Sequence, residues 1–131
     1  MSLIRNSNQA KQAIDFSGLE NKKIHPSDID AVLEFDNEAL ILIEVKRDGN
    51  KIPTGQRLLL ERMCNKWGDK AIVLFVTHSF KQDDKDIPLA ECFVDSYYYY
   101  GKWHKSKEAN IVNVLNELGK WWGINKLQMQ K

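Results

Sequence analysis

Glu44 and Lys46 stand two residues apart at the end of an apolar run, ALILIEVK, over 39–46. Alternate residues of a strand share a face. The carboxylate and the ammonium therefore project together from a segment whose neighbours are aliphatic. An acid two places before a lysine is common, and Glu20-Asn21-Lys22 and Asp83-Asp84-Lys85 repeat the pattern. Only the triplet at 44–46 ends a strand that reads as buried, and only it has acids on the strand before it. The run IDAVLEF (29–35) joins it through Asp36-Asn37-Glu38, a polar connection suited to a hairpin. Centring that hairpin on Asn37 sets Asp30 opposite Glu44 and Asp28 opposite Lys46, all on one face. Facing Cβ atoms in an antiparallel pair lie about 4.5–5.5 Å apart. Two carboxylates that close repel, and a cation relieves the repulsion. Hard oxygen ligands with open positions suit Mg²⁺, which keeps several waters and favours phosphate-bearing substrates. A lysine beside them can polarise or deprotonate a water, or stabilise charge developing on phosphorus. Such a set can hydrolyse a phosphodiester. The same spacing also describes a ladder of weak surface ion pairs, and the residues alone leave both readings open.

The elements that must position these groups follow from periodicity. Residues 7–17 read as a helix ending at Gly18, and KKIH (22–25) as a short strand. After the hairpin, Thr54 is the expected N-cap of a helix to Trp67, stopped by Gly68, with Leu60, Met63, Cys64 and Trp67 as its apolar stripe. KAIVLFVTH (70–78) reads as a strand covered on both faces, which makes the preceding helix a parallel crossover. A polar loop over 79–90 leads to a strand over 91–100. A last helix is expected from Ser106 to Gly123, burying Ile111, Val112, Leu115, Leu118 and Trp122. The order predicts an α/β fold, a mixed sheet flanked by helices.

The chain of 131 residues fits one domain. Its composition is that of a soluble globular protein, with a net charge of +1 that excludes neither nucleic acid nor small substrates. No apolar stretch has the length of a membrane span, and MSLIRNSNQAKQ lacks the apolar run of a signal peptide. Cys64 and Cys92 sit in apolar segments without metal-ligand spacing, as buried thiols of a reducing compartment do. A cytoplasmic location is the expectation.

PSDIDAVLEF followed by ILIEVK resembles the PD-(D/E)XK nuclease superfamily, the restriction-endonuclease-like fold, and most of all its small phage-type and Holliday-junction-resolvase-like members. Pro26 with Asp28 or Asp30 matches the PD half, with Ser27 standing between Pro26 and Asp28. Glu44, Val45 and Lys46 match the E-x-K half. The resemblance implies an αβββαβ core and a DNA nuclease using Mg²⁺, with Mn²⁺ able to substitute, that leaves 5′-phosphates. It implies Asp30 and Glu44 as metal ligands, with Asp28 the rival to Asp30. The Val45 carbonyl would complete the site, and Lys46 would be the catalytic lysine. Gln56, in the first turn of the crossover helix, would position Lys46 or the water. An acid from the first helix is also implied, for which Asp15 and Glu20 are available.

Arg47, Lys51 and Arg57 flank this site as phosphate grips. Lys102, Trp103 and Lys105, in the aromatic and basic stretch YYYYGKWHKSK (97–107), are further candidates for DNA contact. His25, His78 and His104 read as structural. So small a chain has little surface for reading sequence, so DNA structure (a junction, flap or end) is the expected target. The C-terminal aromatics leave room for a homodimer. The alternative is a non-catalytic nucleic-acid-binding or protein-interaction module that keeps the fold.

Overall fold

Five strands lie side by side in chain order: β1 (Ala31–Phe35), β2 (Ala39–Arg47), β3 (Ala71–His78), β4 (Phe93–Tyr99) and β5 (Lys102–Asn110). Among the described residues, two α-helices pack on the sheet, α1 (Thr54–Trp67) between β2 and β3 and α2 (Ile111–Trp122) after β5. The computed structural model describes residues 15, 17–19, 23, 26–80 and 86–129. The chain is thus α/β with a mixed sheet, as its patterning predicts. The predicted helix over 7–17 and strand over 22–25 fall almost wholly outside the described residues.

The β1–β2 hairpin has the register obtained by centring it on Asn37, running from Ala31 opposite Ile43 to Phe35 opposite Ala39. Its turn needs two positive φ values, 50° at Asp36 and 65° at Asn37. Aspartate and asparagine tolerate that region better than other side chains that carry a Cβ. The Glu38 amide donates to the Phe35 carbonyl at 2.7 Å, and the Glu34 carboxylate accepts from the Asn37 amide at 2.8 Å. β2 and β3 pair in parallel from Leu40 with Ala71 to Arg47 with His78, across the α1 crossover.

The sheet separates two cores. Ile41, Ile43, Ile72, Leu74, Val76 and Val94 face α2, where Ile111, Leu115, Leu118 and Trp122 meet them. Leu40, Leu42, Ala71, Val73 and Tyr98 face α1, which closes over them with Leu60 and Cys64. Even-numbered residues of β2 thus look toward α1, and Glu44 and Lys46 belong to that set.

Four sequence expectations change. Thr54 is the first residue of α1, and Pro53 is the cap, without a side-chain bond. Met63 and Trp67 are more than a third exposed at the margin of the helix stripe. Pro88 leads into a short 3₁₀ turn, Leu89–Glu91, before β4 begins at Phe93. The last helix begins at Ile111, with the Asn110 side chain accepting from the Val112 amide, and 102–110 form β5 instead. Tyr100 and Gly101, with φ of 51° and 76°, make the tight turn that sends β5 back along β4. The polar stretch KWHKSKEAN has no apolar alternation because one edge strand needs none. Among the described residues, no helix is long and apolar enough to cross a membrane.

Candidate active site

Glu44 and Lys46 sit near the C-terminal end of β2, beside the N-terminus of α1. In open α/β sheets that end is where ligands bind. Glu44 is 1% exposed, yet it is ionisable and belongs to a strand of aliphatic neighbours. Its Oε2 lies 3.1 Å from Lys46 Nζ, and Lys46 keeps 27% of its side chain exposed. Glu44 Oε1 is buried with no hydrogen-bond donor among the described residues. Burial pushes the Glu44 carboxyl above the usual carboxylate range, the Lys46 ammonium opposes the rise, and the neighbouring Asp30 adds to it.

The ladder between β1 and β2 stops at Ala31 and Ile43, one pair short of the site. Asp30 continues it with its side chain: Oδ2 accepts the Val45 amide at 2.8 Å. That bond fixes the Asp30 carboxylate against β2, next to Glu44. The predicted pairing of Asp28 with Lys46 lies beyond the ladder. Asp28 is exposed, and its described contact is its carbonyl, which accepts from Gln56 Nε2 at 3.3 Å. Of the two rivals, Asp30 is therefore the one whose carboxylate reaches the strand of Glu44. Gln56 meets the backbone leading into Asp30, where sequence reasoning placed it on Lys46 or a water. Val45 contributes its amide to Asp30 and sends its side chain to the opposite core.

An orphaned buried oxygen beside a second carboxylate fits a hard divalent cation, and Mg²⁺ commonly takes only one or two protein carboxylates. Asp30 and Glu44 are such a pair. No group of three or more histidine, cysteine or acidic side chains converges for a metal among the described residues. Glu20 lies outside them. Asp15 is exposed and accepts from the Ser17 amide and hydroxyl, which hold its carboxyl below the usual range. Burial pushes the Cys64 thiol up to about 11 and raises Cys92 as well, so neither is a nucleophile near neutral pH. His78 is buried at the end of β3 and accepts the Phe80 amide, a structural role.

The basic candidates divide. Arg57 pairs with Glu61 at 2.5 Å, and the same carboxylate oxygen accepts Trp103 Nε1 at 2.7 Å. Lys105 pairs with Asp95 at 2.7 Å. Arg47 and Lys102 are exposed at strand ends. Lys51, Arg57 and Trp103 line one hollow, together with Thr54, Phe75 and Ser96. The sequence does not single out Phe75, Ser96 or Glu61, because a helix expected from Ser106 leaves no strand beside β4 to bring Trp103 to them. The signal available was the Tyr100-Gly101 pair, which marks a hairpin. The exposed aromatics Tyr100 and Trp121 both pack on Tyr99; Trp121 belongs to α2, across the sheet from Glu44.

Comparison with protein-family models, with curated proteins and with solved structures finds no match to this chain.

Proposed function

We propose that the protein is a metal-dependent deoxyribonuclease of the PD-(D/E)XK type, acting on DNA structure such as a junction, flap or end. The observation that carries the reading is the juxtaposition at the end of β2. Glu44 is buried with an orphaned oxygen, Asp30 is locked beside it by the Val45 amide, and Lys46 is bound to Glu44 at 3.1 Å. A weak surface ion pair leaves both partners solvated, whereas Glu44 is buried. The order hairpin, crossover helix and parallel strand is the ββαβ part of an αβββαβ core, which supports the reading.

Asp30 and Glu44 would hold Mg²⁺, or Mn²⁺ in its place, which when bound supplies Lewis-acid polarisation of a phosphate oxygen and of water. Lys46 brings its ammonium to the charge that develops at the phosphate, and its bond to Glu44 keeps it aimed there. The Gln56 amide ties α1 to the Asp28 carbonyl and so positions the segment that delivers Asp30. The first turn of α1 contains no acid, so its N-terminal dipole favours a phosphate nearby.

Incubating plasmid and branched DNA with the protein in Mg²⁺, Mn²⁺ or EDTA tests the reading. Cutting that requires the metal and disappears in Lys46→Ala is expected. Absence of metal-dependent cutting, or equal cutting by the variant, would defeat it.

A further inference from the structure

The hollow on the α1 face supplies what the carboxylate pair does not, a place for the substrate beside the scissile bond. It has a volume of about 320 Å³ and is lined by Lys51, Ile52, Thr54, Arg57, Phe75, Ser96 and Trp103. A second hollow of similar size shares Lys51 and Phe75, and runs past Thr77 to Asp48, Asp95, Lys105 and Glu108. Both adjoin the carboxylate site. Phe75 is the β3 partner of Glu44, and Thr77 is the partner of Lys46. Paired residues of parallel strands share a face and lie one strand spacing apart, about 4.8 Å. The groove therefore starts one strand from the reacting centre.

Its two ends differ in charge. The α1 end offers Lys51, the first turn of the helix and Arg57, which Glu61 engages through one guanidinium nitrogen. The far end offers Asp48, Asp95 and Glu108, which repel phosphate, with Lys105 already bound to Asp95. Its walls differ from its ends: Phe75 and Trp103 are half-buried aromatics, and Glu61 fixes Trp103 through the indole N–H while Tyr98 packs against the ring. Aromatic faces beside cations are the elements that hold unpaired bases and their phosphates. At about 320 Å³ the first hollow is at the small end of ligand pockets. A duplex would present only its backbone there, whereas an unpaired nucleotide can insert its base.

We infer that this hollow is a nucleotide subsite, in which one unpaired DNA nucleotide next to the scissile phosphate places its base against Phe75 and Trp103 and its phosphate toward Lys51 and Arg57. The inference rests on the nuclease reading and narrows it: the substrate enters as a single strand or flap.

Binding measured in EDTA separates the two claims, because no cutting occurs. Fluorescence anisotropy would compare the full chain on a single-stranded DNA oligonucleotide, a duplex with a single-stranded flap, a blunt duplex and a single-stranded RNA of the same sequence. The single strand and the flap should bind at least about tenfold tighter than the blunt duplex. Trp103→Ala should lose about tenfold on those two probes, the scale of one lost base stack. Ser96→Phe, which fills the hollow and leaves the Trp103–Glu61 bond in place, should lose as much, with both variants checked for wild-type circular dichroism. Equal affinity for the blunt duplex, an unchanged Ser96→Phe, or tighter binding of the RNA would overturn the subsite. Metal-dependent cutting alongside such a failure leaves the nuclease reading standing; flap binding without any cutting in Mg²⁺ would sink that reading instead.

Discussion

Glu44 is the residue on which stability and chemistry disagree. A carboxyl that is 1% exposed, with one oxygen orphaned, is costly to keep ionised. Because burial raises its folded pKa above the unfolded one, the folded chain holds more protons in the window between them. Linkage then makes stability fall as pH rises through that window, which begins at the usual glutamate pKa of about 4.3. Glu44→Gln removes the buried charge. It should raise stability near pH 7 by about 1–2 kcal/mol and flatten that window, while abolishing cutting. Thermal unfolding across pH checks this, and parallel wild-type and variant profiles would count against it. Lys46→Ala should act in the opposite direction, costing about 1–3 kcal/mol near pH 7 because Glu44 loses its cation. The cost should shrink as the pH falls and Glu44 takes up a proton, which urea titrations at two pH values would detect.

At the scale of elements, the site is made by a turn and by a crossover. Asn37 at φ 65° sets the register that carries Asp30 to Glu44. A β-branched residue there is strained, so Asn37→Val should cost about 1–2 kcal/mol, read from the denaturation midpoint. Glu61 joins α1 to β5 by accepting from Trp103, and pairs with Arg57 within the helix. A double-mutant cycle between Glu61→Ala and Trp103→Phe should give a coupling of at least about 0.5 kcal/mol, and strict additivity would contradict that link. The turn and the crossover helix are legible in the sequence, and β5, to which Glu61 ties that helix, is not. The register followed from Asp-Asn-Glu between two apolar runs, and Leu60, Cys64 and Gly68 marked α1 by periodicity. β5 carried no comparable signal, since Lys102, His104, Lys105 and Lys107 face solvent on an edge strand. Tyr100-Gly101 is the cue to its start, and the expectation of a helix from Ser106 overlooks it.

For the whole molecule, the site depends on Asp30 being closed onto the Val45 amide, fifteen positions along the chain, beside Glu44. Types and spacing could suggest Asp30, Glu44 and Lys46, because parity along two strands survives folding. They could not foresee that the ladder ends at Ala31, that Asp30 is captured by the Val45 amide, or that Gln56 turns to the Asp28 carbonyl. Those depend on where β1 stops and on how α1 docks over Leu42 and Val73. The same docking brings Lys51, Arg57 and Trp103 into one groove from three separate segments. The central claim is that Asp30 and Glu44 jointly hold the divalent ion that cutting requires. Isothermal titration of Mn²⁺ into the wild-type chain, Asp30→Asn and Glu44→Gln tests it most directly. Saturable binding to the wild type that is lost in each folded variant is the predicted result. Binding that survives both substitutions, or none by the wild type at millimolar metal, would contradict it.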